Sequence, residues 1–181
     1  MQPITSIAEA PRPTEVQLPP EKLENIRAIT AHEGAHAFVS LKLGIPLMKI
    51  EMSIENGRHS GGVVWNDMRG VTPEMQGISY TAGLAGELVV LGEDYVRESG
   101  FKGLRIDSKR LNQLGYTSQE EKARLLTEAL DILTTNSAEF NSFRKVLENE
   151  LVQSSQNGTD AVLIDMARMS ELGIEQPKTI H

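Results

Sequence analysis

Cysteine is absent from these 181 residues. That excludes disulfides and thiolate metal ligands, so any metal site must use His, Asp, Glu and water. Aromatic residues make up only 4% of the chain, which leaves aliphatic side chains to fill most of a core. Positive charge is also scarce, and the formal net charge is −7. A general nucleic-acid binder needs a basic face that displaces phosphate counterions, and this composition argues against one. No apolar run approaches the roughly 20 residues that span a bilayer. No cationic segment followed by an apolar run opens the chain as a signal peptide would. No G-x-x-x-x-G-K-[ST] run occurs, so no P-loop is expected. These absences make a cytoplasmic protein without membrane or nucleic-acid partners the default expectation. What remains is 39% hydrophobic and 24% charged, the balance of a globular chain with one domain.

Residues 1–20 hold Pro3, Pro11, Pro13, Pro19 and Pro20 and predict an extended N-terminal arm. A helical domain is expected over 21–173, followed by a polar tail over 174–181. From Glu21 to Leu43 the apolar spacing is helical, with Pro20 suited to the first turn and Gly44 and Pro46 ending the run. Met48, Ile50, Met52 and Ile54 alternate with polar neighbours, Asn56-Gly57 signals a turn, and Gly61–Trp65 reads as a return strand. The expectation is a modest hairpin rather than a full sheet. Thr72-Pro73 starts a helix that Gly92 closes. Its middle carries Ala82, Gly83, Ala85 and Gly86. Each interior glycine costs about 1 kcal/mol, so this pair implies close approach to another backbone, read here as the helix around His32. Gly100–Gly103 is loop-like, and a short helix is expected to begin near Asp107 or Ser108. Ser118 and Glu121 resemble a capping box ahead of helices over about 118–134 and 137–154. After Asn157-Gly158, Thr159 or Asp160 is expected to cap a last helix ending near Gly173. The fold class is therefore mainly α with a small β-hairpin.

Within the first helix, His32-Glu33-Gly34-Ala35-His36 matches H-E-x-x-H. Helical residues i and i+4 share a face, with Cβ atoms about 5–6 Å apart, so both imidazoles can bind one zinc ion. Glu33 can reach a zinc-bound water, whose pKa falls to about 7, and act as general base and then acid. Two of only four histidines stand at this spacing, which argues against an incidental pair. A catalytic zinc needs a third protein ligand and an open position. Position 42 is Lys and position 39 is Val, so a third ligand must come from farther along. Glu87, Glu93, Asp94 and Asp107 are the carboxylate candidates.

The run Ala31-His32-Glu33-Gly34-Ala35-His36-Ala37 resembles the A-x-H-E-A-G-H-A helix of the FtsH-type zinc proteases. Ser60-Gly61-Gly62-Val63-Val64 is similar to that family's G-G-V strand. Ala82-Gly83-Leu84-Ala85-Gly86-Glu87, continued to Gly92, fits its G-G-x-A-A-E-x-x-x-x-G helix. The resemblance covers about 30–115 and implies an FtsH protease-domain-like zincin fold. It implies Asp107 as third zinc ligand, beside His32 and His36. It also implies Glu87 behind a ligand histidine, accepting its free N–H, and Gly61, Gly62, Val63 and Val64 as the strand that receives substrate. The sequence departs from the family in having Gly-Ala between Glu33 and His36, in a longer segment between Gly92 and Asp107, and in lacking the usual Asn-Asp pair there.

These readings lead to a zinc endopeptidase acting on unfolded or flexible protein segments. Only the protease-like part of the family is expected here, without its ATPase or membrane anchor, so a separate ATPase or regulatory protein would be the partner for folded substrates. The rival reading is an inactive metallopeptidase-like adaptor or regulatory module, against which the intact Glu33 argues. His59 reads as a surface residue of the hairpin, Trp65 as a hairpin or core anchor, and the apolar positions of 118–170 as core stripes. Neither Ser60 nor His181 has a constellation around it that would give it a chemical role.

Overall fold

Pro20 occupies the first turn of helix α1 (Pro20–Lys42), with Glu21 beside it, where a carboxylate favours the helix N-terminus. The other end closes on Gly44 at φ 79°. There Gly44 N–H donates to Leu41 O and Ile45 N–H to Ser40 O, the paired bonds of a glycine-terminated helix. The computed structural model describes residues 17–55, 58–99 and 104–177. Residues 1–16 of the expected arm over 1–20, the turn at Asn56-Gly57, the loop at Gly100–Gly103 and His181 lie outside the described residues, as does the side chain of His59.

After α1 come β1 (Leu47–Glu55), β2 (Arg58–Trp65), α2 (Pro73–Leu91), α3 (Glu93–Ser99) and α4 (Leu104–Gln113). The chain continues through α5 (Gln119–Thr135), α6 (Ser137–Gln156), β3 (Ala161–Asp165) and α7 (Met166–Glu171). It is mainly helical, with a small antiparallel sheet of order β2-β1-β3. Thr72 caps α2 by accepting from Met75 N–H, and Ser118 and Glu121 form the expected reciprocal capping box of α5.

Four features differ from what the sequence leads one to expect. The hairpin is part of a three-stranded sheet, because Ala161–Asp165 pairs with β1 through Met52↔Val162 and Ile50↔Ile164. The single last helix over 159–173 is therefore a strand and a short helix, α7, which Asp165 caps by accepting from Arg168 N–H. Within β1, Met48 does not join the inward stripe. The β1/β2 register shifts between Leu47 and Lys49, so Leu47 is fully buried while Met48 is 43% exposed; a bulge turns successive side chains this way. Finally, α4 starts at Leu104 and not at 107 or 108, which puts Asp107 inside its first turn.

Two apolar clusters flank α1. On one side Ile26, Ile29 and Ala37 pack with Ile50, Met52 and Ile164 of the sheet and Leu147 and Leu151 of α6. Ile174, beyond α7, packs into the same cluster, so the folded body runs past Gly173. On the other side Ala35, Phe38 and Val39 pack with Ile78, Ala82 and Ala85 of α2, Leu125 and Leu133 of α5, and Phe140. Helix α1 is thus covered on all sides from Ala28 to Ser40. A helix in that position should be apolar all round, yet it carries His32, Glu33 and His36.

Candidate metal centre

Burying ionisable side chains is costly unless they find partners. His32 and His36 are each 8% exposed, Glu33 7% and Asp107 4%. The two imidazoles present Nε2 to each other at 3.1 Å. Asp107 Oδ2 lies 3.5 Å from His32 Nε2 and 3.3 Å from His36 Nε2. These ligand atoms all fall within 4.8 Å of one another.

Each imidazole is oriented from behind. His32 Nδ1 donates to Glu87 Oε1 at 2.7 Å, and His36 Nδ1 donates to Ser79 O at 2.6 Å. Both interactions are of the kind that holds a metal-ligating histidine in the right tautomer. They turn both Nε2 atoms toward Asp107. Burial lowers the pKa of His32, but hydrogen bonds to Asp107 and Glu87 and the nearby carboxylate charges outweigh it and lift it to about 10. Burial also raises Asp107, but its bonds to both imidazoles overcome this and hold it well below the usual carboxylate range. The carboxylates around His32 thus favour a positive charge at this point, whether on the imidazole or on a bound cation. Two imidazole nitrogens and a carboxylate oxygen suit zinc and other divalent ions of similar chemistry, and His32, His36 and Asp107 could hold such an ion.

The small residues of α2 make this possible. A Cβ at Gly83 would lie 2.4 Å from His36 Nε2 and 2.5 Å from His32 Cε1. One at Gly86 would lie 2.2 Å from the Ala31 carbonyl oxygen. Both glycines let α2 press against α1, as their placement in the sequence implied.

Glu33 stands beside the cluster, and among the described residues its Oε2 is buried without a hydrogen-bond partner. Burial pushes its pKa up, opposed by the charges of His36 and His32. Gly61 of β2 abuts it: a Cβ there would come within 2.7 Å of Glu33 Cγ. His32, Glu33, His36 and Asp107 line a cavity of about 860 Å³, together with Gly61, Gly62, Val63 and Val64. Among the described residues β2 pairs only with β1, so its other edge is unpaired, a fact the sequence left open.

Of the four carboxylates considered as third ligand, Asp107 joins the histidines. Glu87 meets His32 on the Nδ1 side instead. Glu93 and Asp94 lie in the first turn of α3, where Asp94 pairs with Arg97. Sequence reasoning missed Ser79, Tyr80 and Arg110. Ser79 acts through its backbone carbonyl, which no side-chain pattern announces. Trp65 does anchor the hairpin, with Nε1 donating to Ser40 Oγ at 3.0 Å and its ring against Tyr80. No protein-family model matches the chain, and a comparison with curated proteins finds no match.

Proposed function

We propose that this chain is a zinc-dependent endopeptidase of the FtsH protease-domain type, cutting peptide bonds in unfolded or flexible protein segments. The observation that carries the reading is the convergence of His32 Nε2, His36 Nε2 and Asp107 Oδ2 beside the unpartnered Glu33 Oε2, in a cavity walled by an edge strand. A helical layout with a short sheet against the histidine helix is compatible with that family's zincin fold. Zinc bound there would polarise the scissile carbonyl and make hydroxide available at neutral pH.

The chain's own residues do the rest. An extended peptide adds to the free edge of β2 by main-chain hydrogen bonds, which suits varied sequences and requires an unfolded segment. Glu33 takes a proton from the attacking water as its oxygen bonds to the carbonyl carbon, and the C=O pair moves onto the carbonyl oxygen. Collapse restores that double bond and breaks the C–N bond, and the proton on Glu33 passes to the departing amine. The net reaction consumes one water and yields a carboxylate and a protonated amine, the second proton of the water also passing to the amine. Folded substrates would need unfolding by a separate ATPase or presentation by a regulatory protein.

Glu33→Gln is isosteric and removes the base. It should lower kcat on an unfolded casein-like substrate by roughly 100-fold or more with bound metal unchanged. Equal cleavage by both proteins would overturn the reading.

A further inference from the structure

Arg110 follows Asp107 by one helical turn on α4 and lines the same cavity as Glu33 and β2. Its guanidinium lies over the Tyr80 ring, 5.3 Å from the centroid. Tyr80 packs in turn against Trp65 at 5.1 Å, which is itself pinned to Ser40. This stack sets the height and tilt of the cation. The nearest Asp107 oxygen is Oδ1, at 3.8 Å from Nη1, beyond hydrogen-bond reach. Asp107 thus turns Oδ2 to the imidazoles and Oδ1 toward Arg110. Among the described residues no hydrogen bond occupies the guanidinium, and the side chain is 48% exposed.

A positioned cation with free donors, beside the base and the metal cluster, has one clear use in this chemistry. We propose that Arg110 receives the negative charge that develops on the reacting carbonyl oxygen. The inference rests on the peptidase reading above. As water attacks and the C=O pair moves onto oxygen, the guanidinium N–H groups donate to that oxygen, and they release it when the C–N bond breaks. A fixed donor of this kind acts mainly in the transition state. Arg58 also lines the cavity, but it begins β2 and has no aromatic stack beneath it among the described residues.

The experiment uses Arg110→Gln and Arg110→Lys in the zinc-loaded full chain, with metal content measured on each. Cleavage of an end-capped peptide is one readout. Binding of a phosphinic peptide, whose tetrahedral anion mimics the attacked carbonyl, and of the capped peptide itself are read by calorimetry. Arg110→Gln should lower kcat by roughly 100-fold, weaken the phosphinic peptide in parallel, and leave capped-peptide binding and metal content unchanged. Arg110→Lys should recover part of both losses. Equal phosphinic-peptide binding by wild type and Arg110→Gln would overturn the proposal while leaving the peptidase reading intact. Loss of metal in Arg110→Gln would overturn it too, by showing that Arg110 acts through Asp107. A wild type that retains metal but neither cleaves nor binds the phosphinic peptide would sink the peptidase reading, and this proposal with it.

Discussion

Three atoms able to bind a proton or a metal crowd together at His32, His36 and Asp107, and protons and metal must compete for them. The raised pKa of His32, about 10, means that the metal-free protein holds a proton there at neutral pH. Metal binding should expel it. Divalent-metal affinity is therefore expected to rise about tenfold per pH unit between pH 6.5 and 8, with release of about one proton. Calorimetry in buffers of different ionisation enthalpy measures that release, and a pH-independent affinity without it would contradict the assignment. The stability of the metal-free fold runs the other way. A His whose folded pKa is raised stabilises fully below its unfolded value of 6.5, and that contribution is lost as pH rises through about 10. The lowered pKa of Asp107 adds stability above its unfolded value of 3.8, lost as pH falls below it. Metal should thus stabilise the fold most on the alkaline side, where the proton no longer does that work.

Helix α2 is the element that decides whether the cluster can form, because its glycines allow backbone-to-backbone approach on α1. Gly86→Ala tests this away from the metal ligands. Alanine gains about 1 kcal/mol of helix propensity, but its Cβ would lie 2.2 Å from the Ala31 carbonyl oxygen and 2.4 Å from Ala35 Cβ. Neither neighbour is the flexible end of a long side chain. Overpacking of this kind costs about 1–3 kcal/mol or more, so a net loss is expected, seen as a lower urea midpoint at unchanged slope. An unchanged or higher midpoint would mean that the helices have room to spare. Elements with chemical punctuation were legible in the sequence. Pro20 and Gly44 bound α1, Thr72-Pro73 and Gly92 bound α2, and Ser118 with Glu121 starts α5. Strand β3 was not legible. Ala161–Asp165 is a short apolar run behind cap-like residues, and such a run does not distinguish helix from strand; its partner β1 lies more than a hundred positions earlier and decides the matter. The start of α3 had only a faint signal, Glu93-Asp94 directly after Gly92. Within the site, the histidine pair followed from spacing alone. Asp107 needed the family resemblance, and Arg110 needed the stack of Tyr80 on Trp65, which joins α4, α2 and β2 in space.

At the scale of the molecule, one buried helix both anchors the core and carries two of the three residues that could hold a metal ion. Its two flanks anchor separate apolar clusters, while its polar residues open on a cavity bounded by α2, α4 and β2, whose outer edge is unpaired among the described residues. Supporting elements thus hold α1 from several directions, the rigid setting a metal site requires. No helix among the described residues is long and apolar enough to cross a membrane. The cavity and edge strand suit an extended chain better than a folded partner, which is why the peptidase reading specifies flexible segments. Everything in it depends on the cluster binding metal through Asp107. Elemental analysis of purified, zinc-loaded wild type and Asp107→Ala, with circular dichroism to confirm that both are folded, tests this most directly. About one metal ion per chain is expected in wild type, largely lost in Asp107→Ala. Metal kept in full by Asp107→Ala, or none bound by wild type, would contradict it.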